Sequence, residues 1–282
     1  MEIKIFNVER GFCALIVADN KQAALIDCGD NQRTGFKPSD FMLKSRYSGM
    51  EKLIISSYND HHLADLPNLL TRYFQCRLPT KFLIKNPSVN AETLPELLVR
   101  NDLTETRLHI LSAIKDNSIG VTSYIEFGGI NLAFFWNCYP EFLDIDNLSV
   151  VTFLHYRDIN MIFPGNLKQA GWRSLLRQAS FRKHLRWVNL FVASNHGYAS
   201  GYYPEVLNYC DPDLVIISNG SSQSMTPEVL SRYRSHAKGF RVGDSEQKLL
   251  TTRNHGTITV SQSPGQSLEI TTEQSLQMRA VY

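Results

Sequence analysis

The chain has 282 residues, 43% of them hydrophobic and 11% aromatic, and its 29 basic and 27 acidic residues leave a formal net charge of +2. That apolar content specifies a globular core, in one large α/β domain or two small ones. So neutral a balance argues neither for nor against a nucleic-acid partner, and any basic surface has to be local. The five cysteines (Cys13, Cys28, Cys76, Cys138, Cys210) are dispersed and lack a Cys-x-x-Cys pair, which excludes a zinc ribbon and fits reduced thiols. No apolar run reaches membrane-spanning length, and the charged N-terminus has no leader-like apolar core, so a cytoplasmic protein with no membrane partner is expected.

In chain order, Ile3, Ile5 and Val8, then Ala14 to Val17, then Ala23 to Ile26 predict three short strands, ending in Asp27-Cys28-Gly29. Asn31 to Gly49 is a polar stretch punctuated by Gly35 and Pro38, with a short helix from Ser39. Leu53, Ile54 and Ile55 read as a buried strand, which runs into Tyr58, Asn59, Asp60, His61 and His62. Leu63, Leu66, Leu69 and Leu70 then recur at helical spacing, with Asp60 available as a cap. Ligand-capable side chains are thereby placed at the carboxyl end of a strand, where α/β folds usually put their chemistry. Lys81 to Ile84 predicts a strand, Leu94 to Leu103 a helix with Pro95 in its first turn, and Ser123 to Trp136 a hairpin turning at Gly128-Gly129. Leu148 to His155 and Asn160 to Phe163 read as a second hairpin, followed by a helix from Leu167 to Arg177. Strands at Val188 to Ala193 and Leu214 to Ile217, a helix from Pro227 to His236 and a closing hairpin (Leu249 to Arg253, Thr257 to Val260) complete the domain. A single domain over 1–260 is expected, with 261–282 as a polar tail.

The 53–70 stretch resembles the signature of the metallo-β-lactamase superfamily, an apolar strand followed by Thr-His-x-His-x-Asp-His and a helix start. Order and spacing agree further on, at Asp27-Cys28-Gly29, Asn147-Leu148-Ser149-Val150, Pro164-Gly165-Asn166, Ser194-Asn195-His196-Gly197, Ser218 and His255-Gly256-Thr257-Ile258. The later segments are similar to the branch that contains the β-lactamase-like domain of bacterial DNA-uptake proteins. The resemblance implies a four-layer αβ/βα sandwich and a hydrolase-like pocket in which Asp27 supports the metal loop.

The ligand positions depart from that pattern. The resemblance lays Ser57 and Asn59 on two ligand histidines, His61 on the aspartate, Asn166 on the bridging aspartate and Asn195 on the first histidine of a His-His-Gly motif. His62 and His196 stay in register, with Asp60 beside them. Two histidines fall short of the three protein ligands of a catalytic zinc site, and amide nitrogens do not bind metal. The pocket-equivalent set is therefore Ser57, Asn59, Asp60, His61, His62, Asn166, Asn195 and His196, with His62 and His196 as the metal candidates; a remodelled mononuclear site would add Asp60 or His61 to them. No cofactor is expected on this count. A catalytically weak or inactive hydrolase-like protein follows, acting through a ligand, nucleic acid or a protein partner in a bacterial multi-protein system. The alternative is an active metal-dependent phosphodiesterase or nuclease with an atypical site, which would require zinc or manganese.

One local charge bias stands out. Lys168, Arg173, Arg177, Arg182, Lys183 and Arg186 occur within 20 residues that contain no Asp or Glu, interleaved with Trp172, Phe181 and Trp187. The stretch reads either as a solvated helix face whose aromatics enter the core or as a phosphate-binding surface with stacking groups.

Overall fold

Burial alternates along the first segment, with Ile3 and Ile5 fully enclosed and Glu2 and Lys4 half-exposed, and this period of two builds the first strand, β1 (Glu2–Ile5). The computed structural model describes residues 1–45, 47, 49–74, 83–90, 92–100, 123–220, 225–243 and 245–279. Continuing along the first half are β2 (Ala14–Val17), β3 (Gln22–Ile26), α1 (Pro38–Lys44), β4 (Gly49–Ile54), α2 (Leu66–Phe74), β5 (Leu83–Ile84) and α3 (Leu94–Arg100). The second half holds β6 (Tyr124–Phe127), β7 (Ile130–Phe135), β8 (Val151–Tyr156), β9 (Ile159–Phe163), α4 (Gln169–Leu175), α5 (Ala179–Leu185), β10 (Leu190–Val192), α6 (Pro204–Leu207), β11 (Leu214–Ile217) and α7 (Pro227–His236). A small hairpin of β12 (Phe240–Val242) and β13 (Ser245–Gln247) precedes β14 (Leu249–Thr251), α8 (Thr252–His255), β15 (Ile258–Ser261), β16 (Glu269–Thr272) and α9 (Glu273–Arg279).

Two seven-stranded sheets carry the fold, ordered β16-β15-β1-β2-β3-β4-β5 and β14-β11-β10-β9-β8-β7-β6. Their facing sides bury a shared core that includes Ile3, Ile16, Ile26, Leu132, Phe134, Leu154, Phe163 and Ile216. The outer side of the first sheet packs Leu15, Leu25 and Leu53 under Leu66, Leu69 and Leu97 of α2 and α3. On the outer side of the second, Phe153, Phe191 and Val215 pack under Trp172, Phe181 and Tyr233 of α4, α5 and α7. Helices on both outer faces give the four-layer αβ/βα sandwich, which leaves no sheet face to water along its central strands.

The topology also decides where the loops meet. Strands β3, β4 and β5 run parallel in the first sheet, and β9, β10, β11 and β14 run parallel in the second. The residues that follow β3, β4, β9, β10 and β11 lie just past carboxyl ends of parallel strands, the usual position of an α/β site.

Several sequence expectations shift. Asp60 to His62 forms a 3-10 turn with Asn59 at its N-cap position, and α2 begins at Leu66, so Asp60 does not cap that helix. The expected hairpin around Asn254-His255-Gly256 does not form. Instead β14 pairs in parallel with β11 and β15 pairs antiparallel with β1, so α8 carries the chain from one sheet to the other. That crossover is fixed by Thr252, whose hydroxyl donates to the Asn219 carbonyl and accepts from its N–H, at 3.1 and 3.0 Å. β16 pairs with β15 at the edge of the first sheet. Residues 81–82 and 101–103, within the strand and helix expected there, lie outside the described residues, as do Cys76 and His109. Cys13, Cys28, Cys138 and Cys210 are free thiols. Among the described residues, no helix is long and apolar enough to cross a membrane.

Candidate functional site

Three imidazoles meet at the converging strand ends. His61 and His62 come from the turn after β4, and His196 from the turn Ser194–Gly197 after β10. Their ring centroids form a near-equilateral triangle of 5.1 Å (His61–His62), 5.4 Å (His61–His196) and 5.1 Å (His62–His196). One nitrogen from each ring lies within 4.8 Å of the others. Two histidines were expected in register, and neighbouring side chains seldom face the same way in a strand or helix. In a 3-10 turn, successive residues diverge by about 120°, so His61 and His62 can flank a third ring between them.

Hydrogen bonds on the far side of each ring fix the chemistry of the near side. His62 Nδ1 lies 2.7 Å from Asp27 Oδ2, and Asp27 also accepts from the Ser56 N–H at 2.7 Å and from the Ser56 hydroxyl. His196 Nδ1 lies 3.0 Å from the Ser218 carbonyl. A carbonyl can only accept, and a carboxylate taking two other donors here acts as an acceptor, so both Nδ1 atoms carry the proton. The two Nε2 atoms face each other at 3.1 Å, a hydrogen-bonding distance that a proton on one of them or an ion between them would satisfy. A carboxylate or carbonyl behind each imidazole is also the arrangement that orients metal-binding histidines.

Burial pushes the His196 imidazole well below its ordinary range, and the neighbouring His62 and His61 push it further. His61 is pushed down to about 3, first by burial and then by His62. Both rings are neutral near pH 7, the form that ligates metal. The backbone is strained at the same place. Asp27, Asn195 and His196 have φ of +55°, +48° and +54°, a region that residues with a Cβ seldom occupy. Such strain persists only where surrounding structure imposes it, and it gathers at functional sites.

The amides at the other pocket-equivalent positions are knit into side-chain hydrogen bonds. Asn59 Nδ2 donates to Asp146 Oδ1 at 2.6 Å and to Ser57 Oγ at 3.1 Å. Asn166 Nδ2 donates to Ser57 Oγ at 3.3 Å, and Asn195 Nδ2 to Ser200 Oγ at 2.9 Å. Asn166 Oδ1 is buried without a partner among the described residues. Asp60 is half-exposed and outside the three-histidine cluster. His62, His196, Asn166, Ser56, Ser218 and Phe12 line a cavity of about 10 Å³, roughly the volume that one water needs.

The cluster fits one ion and not two. A zinc ion bound by nitrogens at about 2.0–2.1 Å sets tetrahedral neighbours about 3.3 Å apart, close to the 3.1 Å between the two Nε2 atoms. A second ion would need the donors that Ser57, Asn59 and Asn195 do not supply. Sequence reasoning named Asp27 as support for this loop through the resemblance alone, and it missed Ser56 and Ser218, which have no signal beyond lying at strand ends.

The basic stretch is divided. Lys168 Nζ pairs with Asp144 at 3.0 Å and Asp146 at 2.8 Å, and Arg182 donates to the Leu176 carbonyl at 2.5 Å. Trp172 and Phe181 are buried in the core, and Trp172 Nε1 donates to the Gly201 carbonyl at 3.1 Å, so neither ring offers a stacking surface. Arg173, Arg177, Lys183 and Arg186 are exposed, and Trp187 is 68% exposed. Trp187 borders a groove of about 510 Å³ on the outer face of the second sheet, with Tyr124, Phe153, His155 and His184.

No family model and no curated protein matches the sequence. Solved structures do match the fold. The metallo-beta-lactamase fold protein YhfI from Bacillus subtilis superposes with a TM-score of 0.55 at 10% identity, over 92% of this chain and 98% of that one. The chain has the metallo-β-lactamase fold. Zinc-bound PqqB from Methylobacterium extorquens gives a TM-score of 0.52 at 8% identity, over 93% and 100% of the two chains. Igni18, a metallo hydrolase from the archaeon Ignicoccus hospitalis, gives 0.52 at 9% identity over the same shares. The metallo-β-lactamase fold thus places the three-histidine cluster at the carboxyl ends of parallel strands from both sheets.

Proposed function

We propose that this chain is a hydrolase-like protein whose site is reduced to a single three-histidine metal position, weak or inactive as a phosphodiesterase and acting by binding. The observation that carries the reading is that side-chain amides stand at the ligand positions, with Asn59 bonded to Ser57 and Asp146, Asn166 to Ser57, and Asn195 to Ser200. The resemblance of the later segments to the DNA-uptake branch of the superfamily supports, within this reading, a role in a bacterial multi-protein system.

His61, His62 and His196 would hold the ion, which when bound supplies a Lewis acid and lowers the pKa of a water molecule. Asp27 and the Ser218 carbonyl hold the Nδ1 edges of the two buried rings and so turn both Nε2 atoms toward the cluster. Among the described residues the cluster contains no carboxylate; nearby, Asp27 is bonded to Ser56 and His62 and Asp146 to Asn59 and Lys168. The second reading, an active metal-dependent phosphodiesterase, is favoured by one fact, that three nitrogens meet the minimum for catalytic zinc. Hydrolysis of bis(p-nitrophenyl) phosphate with zinc or manganese separates the two. The expected result is no turnover above a His62→Ala control, whereas metal-stimulated turnover abolished by that substitution makes the enzyme reading correct.

A nucleic-acid partner is supported by the exposure of Arg173, Arg177, Lys183 and Arg186 and of Trp187, their neighbour in sequence. Binding of single-stranded DNA is expected to weaken steeply with salt and to fall about tenfold in an Arg177→Glu, Lys183→Glu double variant. Binding insensitive to salt, or absent at low salt, removes this partner class.

A further inference from the structure

We propose that the groove bordered by Trp187 receives an unpaired base of single-stranded nucleic acid, stacked against the indole, while Lys183 holds the adjoining phosphate. The inference rests on the nucleic-acid reading above and adds where the strand is held and which part of it is recognised.

The groove is separate from the histidine cluster. Asn160 lies at the start of β9, and Trp187 and Val188 come just before β10, so the groove opens at the amino ends of strands whose carboxyl ends lead into Asn166 and His196. Its volume of about 510 Å³ falls within the roughly 300–1,000 Å³ of ordinary ligand sites. The walls are aromatic. Trp187 is 68% and Tyr124 53% exposed, and both line this one groove together with Phe153 and His184. Aromatic faces left open to water in a concave surface mark a site for another flat ring. The wall beside Trp187 is held in place, because His184 Nδ1 donates to the Ser180 carbonyl at 2.9 Å and its ring packs against Phe135 and Phe153 at centroid distances of 5.2 and 5.3 Å.

A polar row suits the edge of a base better than an aliphatic ligand. Asn131, His155 and Asn160 stand opposite one another across β7, β8 and β9 and line the groove. His155 Nδ1 donates to Asn160 Oδ1 at 2.6 Å, and the Tyr124 hydroxyl donates to Asn131 Oδ1. Both amides thus keep Nδ2 hydrogens without a partner among the described residues, and such donors match the carbonyl oxygens and ring nitrogens of bases.

Charge decides between a strand and a neutral aromatic ligand. The chain keeps turning beyond α5, with the Arg186 N–H on the Arg182 carbonyl at 3.4 Å and the Trp187 N–H on the His184 carbonyl at 3.1 Å. Lys183, four residues before Trp187, therefore lies on the same side of the turn. Exposed Arg177 and Arg173 extend the positive charge back to α4, which offers several phosphates of a strand more partners than one free nucleotide could engage. Glu126, opposite Asn131 on the edge strand β6, carries the opposing charge and keeps the phosphate on the Lys183 side.

The full chain is titrated with a labelled single strand of about 15 nucleotides, with an abasic strand of the same length and with AMP, followed by anisotropy and tryptophan emission. The abasic strand keeps the phosphates and loses the rings, so it should bind at least about tenfold more weakly. Trp187→Ala should lower affinity for the base-bearing strand about tenfold and leave the abasic strand unaffected, whereas Trp187→Phe should keep most of the affinity. Lys183→Ala should reduce the salt slope by about one. Thermal unfolding checks that these variants of exposed residues fold. Equal binding of the two strands, or no effect of Trp187→Ala, overturns the base site while leaving the charge-based reading in place, and an unchanged slope in Lys183→Ala overturns its phosphate contact. AMP that binds as tightly as the strand assigns the groove to a free nucleotide and overturns the strand as occupant. Absence of salt-sensitive binding to either strand overturns the nucleic-acid reading itself.

Discussion

Asp27→Ala is expected to destabilise the protein by about 3–5 kcal/mol, because the buried carboxylate leaves the Ser56 amide, the Ser56 hydroxyl and His62 Nδ1 without an acceptor. At about 2–4 °C per kcal/mol for a domain of this size, the melting temperature should fall by about 10 °C. Thermal unfolding followed by circular dichroism measures it. Asp27→Asn, which keeps the shape and one acceptor, should cost less in stability but still release His62 from its tautomer. A melting temperature within about 2 °C of wild type for Asp27→Ala would mean that the carboxylate does not hold the site together.

The second large effect is expected at Gly11, where φ is +101° and an added Cβ would lie 2.0 Å from the His61 carbonyl oxygen and 2.7 Å from its carbonyl carbon. Both atoms are backbone, so relief requires moving the turn that carries His61 and His62. Gly11→Ala should therefore cost about 3 kcal/mol or more and weaken metal binding as well. Gly35 provides the control. It too has a positive φ, +76°, but nothing lies within 4 Å of its added Cβ. Gly35→Ala should cost only the conformational strain, about 1–2 kcal/mol, and leave the cluster unchanged. Equal losses at the two positions, measured by urea denaturation, would show that crowding against His61 has no special cost.

Much of the fold was legible because its local signals are strong. The uncharged run from Ala14 to Val17, the Gly128-Gly129 turn and the Pro-led helix Pro227–His236 each occur where the pattern predicts. Legibility fails where the deciding partner is distant in sequence. Asn254-His255-Gly256 has the composition of a hairpin turn, yet β14 is captured by β11 and β15 by β1, and nothing local to residues 249–260 encodes either partner. α5 gives little pattern because only Phe181 and Leu185 along it are buried.

The site divides in the same way. Aligning segments by motif found Asn59, Asn166, Asn195 and His196, but the sequence alone left open whether Asp60 or His61 joins His62 and His196, because the choice is made by a 3-10 turn that sets the His61 ring against the other two. The basic stretch was visible as a charge run, but its division was not. Lys168 is held by Asp144 and Asp146, more than 20 residues away, and Trp172 is turned inward by the Gly201 carbonyl.

The central proposal is that the site holds one ion and not two, and metal stoichiometry tests it most directly. Untagged protein, loaded with excess zinc and freed of unbound ion by gel filtration, should carry no more than about one zinc per chain by plasma mass spectrometry, and His196→Ala should abolish it. Combining Ser57→His, Asn59→His, His61→Asp, Asn166→Asp and Asn195→His should raise the content toward two, since it restores the missing ligands on the same strand ends. Two zinc ions per wild-type chain would contradict the account, because the neutral amide network would then have to be replaced by donors at a second metal position.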